Sequence, residues 1–171
     1  MDKVEEAIGN YEELIDLVLK NLEDVGIDVV NREIDHIAYR AKSSNEFDKL
    51  KEKFTNDYGT FFSEKLIRGR RVCILKFNQP IKYKNFIISF LEILEPAQGD
   101  SEFKRQLEHL EIVIDDMSLS EFASKYPNVN FETKNLNNEV NPELILLFPN
   151  DANVKFHPMS IDKVIQIEAK K

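Results

Sequence analysis

Apolar positions Val4, Ile8, Ile15, Val18, Leu19 and Leu22 recur at helical spacing, and Gly26 offers a stop. The pattern predicts one helix over the first 25 residues. The next apolar stretch, IDHIAYRA at 34–41, is short and rich in strand-formers. Ser43 or Ser44 then caps a second helix, NEFDKLKEKFTNDY, which ends before Gly59. FFSEKLI at 61–67, a turn at Arg68-Gly69-Arg70 and RVCILKF at 71–77 make a hairpin signature, and Pro80 is expected to end its second strand. IISFLEILEP at 87–96 is a further strand closed by proline, and the polar AQGDSEFKR at 97–105 reads as a linker.

The pattern then starts again. LEHLEIVID at 107–115 predicts a strand, LSEFASKY a short helix ended by Pro127, and FETKNL a strand. LILLF at 144–148 is a buried strand, Pro149-Asn150-Asp151 a turn, VKFHP a last strand and IDKVIQIEAK a C-terminal helix. Each half therefore reads strand, helix, then three strands. IDHIAY and LEHLEI also share the order apolar, acidic, His, apolar, any, apolar or aromatic. The period is that of a supersecondary module rather than a solenoid turn.

Charge and composition narrow the function. With 31 acidic against 23 basic residues, a formal charge of -8, the chain repels phosphate backbones, and no nucleic-acid partner is expected. The single cysteine, Cys73, excludes an internal disulfide and a cysteine-rich zinc site; a buried structural thiol is expected there. No apolar run approaches the roughly 20 residues of a membrane helix, and the acidic start is no secretory signal, so the expectation is a cytoplasmic, soluble domain without a membrane partner. There is no glycine-rich phosphate loop and no G-x-S-x-G elbow, which argues against ATP, NAD and serine-hydrolase chemistry.

The three histidines, His36, His109 and His157, all fall in predicted strands, and two hold the same place in the two repeats. Strand side chains alternate between faces. His36, Ala38 and Arg40 thus share one face, as do His109, Glu111 and Val113, and Lys155 with His157; Glu92 lies between Leu91 and Ile93. Histidine and carboxylate on one polar face are the side chains a divalent metal takes, and two His with one or two carboxylates suit Zn, Mn, Ni or Fe(II). The rival reading is a satisfied structural histidine in each strand. The basic run Lys65, Arg68, Arg70 and Arg71 straddles a hairpin turn; it is either a solvated tip or a phosphate or carboxylate grip.

The ordered segments DHIAYR, GRRVCILKF, LEILEP, EHLEIVI, NPEL and VKFHPMSI, spanning about 34–161, resemble the YecM family of the vicinal-oxygen-chelate (glyoxalase/bleomycin-resistance/dioxygenase) superfamily. The resemblance implies an α+β fold. Two βαβββ modules, at 34–96 and 106–168, form an open, barrel-like curved sheet, preceded by an N-terminal helix at 1–26, in one domain over 1–171. It also implies a divalent metal in the cavity, held from the first and last strand of each module. Carried over by position, the ligands are His36, Glu92 and His109, with His157 the candidate in VKFHP where the superfamily commonly has Glu. Glu111 is then a ligand or the catalytic base.

The function expected from these readings is a metal-dependent enzyme acting on a small oxygenated, anionic metabolite by isomerase- or lyase-like chemistry. Glu111 would be the base, and Arg40 and Lys155 would pair with the substrate's anionic group. Fe(II) on the same ligands would instead support oxidoreductase chemistry. The rivals are a small-ligand binding protein without a reaction, and a plain structural domain. A monomer or a homodimer fits, since one chain carries both modules.

Overall fold

The computed structural model describes residues 3–97 and 105–170. The N-terminal periodicity is shared by two helices, α1 (Lys3–Ile8) and α2 (Tyr11–Asp24). Gly9 breaks them with φ +89°, and the Asn10 side chain accepts a hydrogen bond from the Glu13 backbone N–H to start α2. The apolar spacing runs across the break, which is why one helix is expected from sequence. α2 buries Tyr11, Leu14, Ile15, Val18 and Leu22.

The strands and helices follow in the expected order: β1 (Ile34–Arg40), α3 (Ser44–Asp57), β2 (Gly59–Ile67), β3 (Arg70–Tyr83), β4 (Phe86–Leu94), β5 (Leu107–Val113), α4 (Leu119–Ser124), β6 (Leu144–Leu146), β7 (Asn153–His157) and α5 (Ile161–Glu168). They form one curved, unclosed α+β sheet of order β2-β3-β4-β1-β5-β7-β6. β1 pairs parallel with β4 and β5 parallel with β7, while β1 and β5 join the two halves antiparallel.

Two local expectations need correction. β3 continues through Pro80 to Tyr83. Its register against β4 shifts between Lys76 and Ile81, so the missing proline N–H falls where the ladder is already interrupted. FETKNL forms no strand; it contributes one bridge, Glu132 to Ile145. Its backbone turns instead, with the Leu136 N–H on the Thr133 carbonyl and the Asn138 N–H on that of Asn135. Of the expected linker, only Ala97 and Arg105 lie within the described residues.

The sheet's two faces carry different chemistry. Ile37, Tyr39, Leu91, Ile93, Leu110, Ile112 and Phe156 join the main core with α2, with Phe47, Leu50 and Phe54 of α3, and with Phe122 of α4. Cys73 is part of that core, and burial pushes its thiol up to about 12. The opposite face carries a small apolar cluster, Ala38, Val72 and Leu94. The rest of that face lines a cavity of about 320 Å³, walled also by α5 and the loop before β6.

Candidate metal centre

The site is built by register. Across the β1–β5 junction His36 stands opposite Glu111 and Ala38 opposite His109. β4 places Glu92 beside Ala38, and β7 places Lys155 beside Glu111. Two rows result: Glu92, Ala38, His109 and, next to it, His36, Glu111, Lys155. Facing side chains in such rows are about 5 Å apart at Cβ. Ala38 offers only a methyl group, so Glu92 and His109 meet over it, Oε2 to Nε2, at 3.4 Å.

Glu111 sits at the centre. Its Oε1 lies 3.4 Å from both His36 Nε2 and His109 Nε2 and 3.1 Å from Lys155 Nζ. Its Oε2 lies 2.6 Å from His157 Nε2. One ligand atom each from His36, Glu92, His109 and Glu111 falls within 4.8 Å of the others, and all four residues are buried. A second such group, Glu111, Glu143 and His157, shares the central carboxylate.

Distance and direction disagree here. The Nε2 atoms of all three histidines and Oε2 of Glu92 are buried, yet none has an aligned hydrogen bond. Buried polar atoms are ordinarily satisfied. Each imidazole is oriented from behind: His36 Nδ1 by Asp35 Oδ2 at 2.9 Å, His157 Nδ1 by Asn141 Oδ1 at 2.9 Å, and His109 Nδ1 by Glu108 Oε1 at 3.5 Å. An acceptor on Nδ1 leaves the Nε2 lone pair facing inward, the usual tautomer and support of a metal-ligating histidine. The donor set and its unpartnered atoms therefore fit a divalent cation.

Without a cation, His36 and His109 hold their protons more strongly than a free imidazole. Burial lowers the His36 pKa, but Glu111 and Asp35 outweigh it and raise it well above the usual range. Burial and Lys155 lower that of His109, yet Glu108, Glu111 and Glu92 bring it up to about 9. Burial opposes ionisation of Glu111, but His157, His36 and Lys155 hold its carboxyl well below the usual carboxylate range. Lys155 is pulled down by burial and raised overall by Glu111, Glu92 and Glu143.

Of the residues singled out from sequence, His36, Glu92, Glu111, Lys155 and the hairpin cations Lys65, Arg68 and Arg70 line the cavity, while His109 and His157 are buried and do not line it. Arg40 is held by Glu108 Oε2 at 2.5 Å and does not line the cavity, although it shares a strand face with His36. His157 is not in the four-residue group. The register puts Lys155, not His157, in the second-half position equivalent to Glu92. Four residues escaped sequence reasoning: Asp35, Glu108, Asn141 and Glu143. Asp35 and Glu108 are the acidic residues that precede the two repeat histidines, and Asn141 and Glu143 belong to NPEL, so the signal was present without a role attached.

No helix among the described residues is long and apolar enough to cross a membrane. Comparison with known proteins agrees with this architecture. The chain is 24% identical over 159 residues to Protein YecM of Escherichia coli, covering 84% of this chain and 82% of the relative. A solved structure described as structural genomics protein EC4020 superposes with a TM-score of 0.79 at 23% identity, over 98% of this chain and 94% of the other. A variant of Streptomyces coelicolor methylmalonyl-CoA epimerase, in complex with 2-nitronate-propionyl-CoA, superposes with a TM-score of 0.52 at 19% identity, over 73% of this chain and 95% of the other. The family model described as YecM protein matches residues 3–168, nearly the whole chain, and on that match the chain belongs to the YecM family, with a fold like that of methylmalonyl-CoA epimerase.

Proposed function

We propose that this protein is a divalent-metal-dependent enzyme acting on a small anionic, oxygenated substrate by an isomerase- or lyase-type proton transfer. The observation that carries this reading is the set of buried, unpartnered donors, the Nε2 atoms of His36 and His109 and Oε2 of Glu92, gathered around Glu111. His36, Glu92, His109 and Glu111 would hold the metal. A bound divalent metal would polarise neighbouring substrate oxygens and stabilise negative charge that develops beside them. Lys155, whose ammonium stays charged beside Glu111, would pair with that charge. Glu143 lines the cavity with Oε2 no closer than 3.8 Å to His157 and 3.9 Å to Lys155, and its Oε1 is held by the Asn135 amide. With Glu111 engaged as a ligand, Glu143 would accept the substrate proton.

Elemental analysis of untagged protein tests this directly. The expectation is one divalent ion per chain, removable by chelator and restored by titration. Protein that binds no divalent metal at micromolar concentration overturns the reading.

One observation favours a second reading, a binding module without metal. Lys155 already places a cation against Glu111 in the position equivalent to Glu92. That reading expects small anions to raise the Tm equally before and after chelator treatment.

A further inference from the structure

The cations of the β2–β3 hairpin take no part in the metal centre. Arg70, Val72 and Ile74 alternate along one face of β3, and all three line the cavity. Ile74 pairs with Glu92, so Arg70 stands four residues, about 13 Å, along the strand from the level of the metal donors. Burial falls along this path. His36, Glu92 and Glu111 are buried, Arg70 is half-buried and Arg68 exposed, which puts the donors at the floor of the cavity and the cations at its rim.

The rim cations are not equivalent. Lys65 is paired with Glu168, and Arg68 donates to Asn135 Oδ1 at 2.9 Å. Arg71 turns to the opposite face, onto Asp48 at 2.6 Å and Glu95 at 2.8 Å. Arg70 faces the cavity with no ion-pair or hydrogen-bond partner among the described residues. Carboxylates and Lys or Arg side chains line the cavity in equal number, four of each. A divalent cation at the floor therefore leaves the cavity two positive charges in excess.

We infer that the substrate is a small dicarboxylate-like dianion. One end offers neighbouring oxygens to the metal centre, and a second carboxylate, a few carbons away, takes a two-point hold on the Arg70 guanidinium. Planar guanidinium and carboxylate match in this way, and a cavity of about 320 Å³ suits a molecule of that size. The two excess charges match two carboxylates. This inference rests on the metal-centre reading and deepens it by naming a substrate class and the residue that selects it.

Calorimetric titration of untagged, Mn(II)-loaded protein tests it with three probes. Oxalate presents the chelating end alone, 2-oxopentanoate adds an uncharged tail, and 2-oxoglutarate ends the same chain in a carboxylate. The expected result is 2-oxoglutarate binding about tenfold or more tighter than 2-oxopentanoate. Arg70→Gln should remove that preference and leave oxalate unchanged, and Arg70→Lys should keep part of it. Equal affinity for the two oxoacids, or an Arg70→Gln variant that weakens oxalate as much as 2-oxoglutarate, overturns the inference and leaves the metal centre standing. Failure of the wild-type protein to bind Mn(II), or of the loaded protein to bind oxalate, overturns both.

Discussion

In the first half of the sheet β2, β3, β4 and β1 pair along their lengths, whereas the second half has β5, β7 and β6 and a single bridge at Glu132. The halves differ as much in what they point at the cavity. His36 and His109 hold equivalent places, but the next inward positions are Ala38 in the first half and Glu111 in the second, and the last strand of each, β4 and β7, carries Glu92 and Lys155 respectively. The first half supplies space and a carboxylate; the second supplies an ion pair. The two halves of the sheet are thus filled differently, and the centre of the site, Glu111, comes from the half with fewer strands.

Substitutions at equivalent positions break or sharpen this contrast. The largest effect is expected from the residues the halves share. His36→Ala and His109→Ala should each lower metal affinity more than about a hundredfold, beyond what losing a residue that only orients a ligand costs, and to a similar degree by calorimetry. A large inequality between them would deny the equivalence. Lys155→Met removes the second half's cation and leaves Glu111 under-compensated. Metal-free stability should fall by about 3 kcal/mol in urea unfolding, while metal affinity rises because the cation's competitor is gone.

Supporting carboxylates come next. Asp35 Oδ2 accepts both from His36 Nδ1 and from the Ile161 backbone N–H, so it also caps α5, whose own Ser160 makes no side-chain cap bond. Asp35→Ala should weaken metal binding by about 10–100-fold and lower stability by about 1 kcal/mol. Glu108→Ala should cost less metal affinity, because its contact to His109 is the longer one at 3.5 Å.

The smallest effect concerns pH. His109 is raised to about 9 in the metal-free fold, against about 6.5 for an unfolded histidine. A raised pKa gives stability that is fully present below about pH 6.5 and is lost as pH climbs through about 9, on the order of 1 kcal/mol when the same carboxylates also hold Lys155. Metal-free Tm should therefore fall by a few degrees over that interval. Metal affinity should rise over the same interval, because the ligands must shed protons to bind. A flat Tm in metal-free protein would remove the protonated histidines from the account.

Some of this was legible without coordinates because it is local. Strand alternation places His36 and Ala38 on one face and Ile37 and Tyr39 on the other, and the repeat of IDHIAY as LEHLEI marks the two first strands. What was missed depended on partners distant in the chain. Arg40 shares a face with His36, but Glu108 of the neighbouring strand captures it. Pro80 reads as a stop, yet the register shift against β4 accommodates it. The break at Gly9 hides under an unbroken apolar spacing, because Ile8 and Tyr11 bury on either side of it.

From sequence alone came the order of most elements and the chemical character of the inward faces, since backbone periodicity and side-chain type act over a few residues. Tertiary structure decided which inward groups meet. Strand register sets Lys155 rather than His157 level with Glu111, folds the loop carrying Asn141 and Glu143 onto the cavity, and brings Asp35 to the start of α5. These contacts join residues far apart in the chain, 126 positions in the case of Asp35 and Ile161, and no local pattern carries that information.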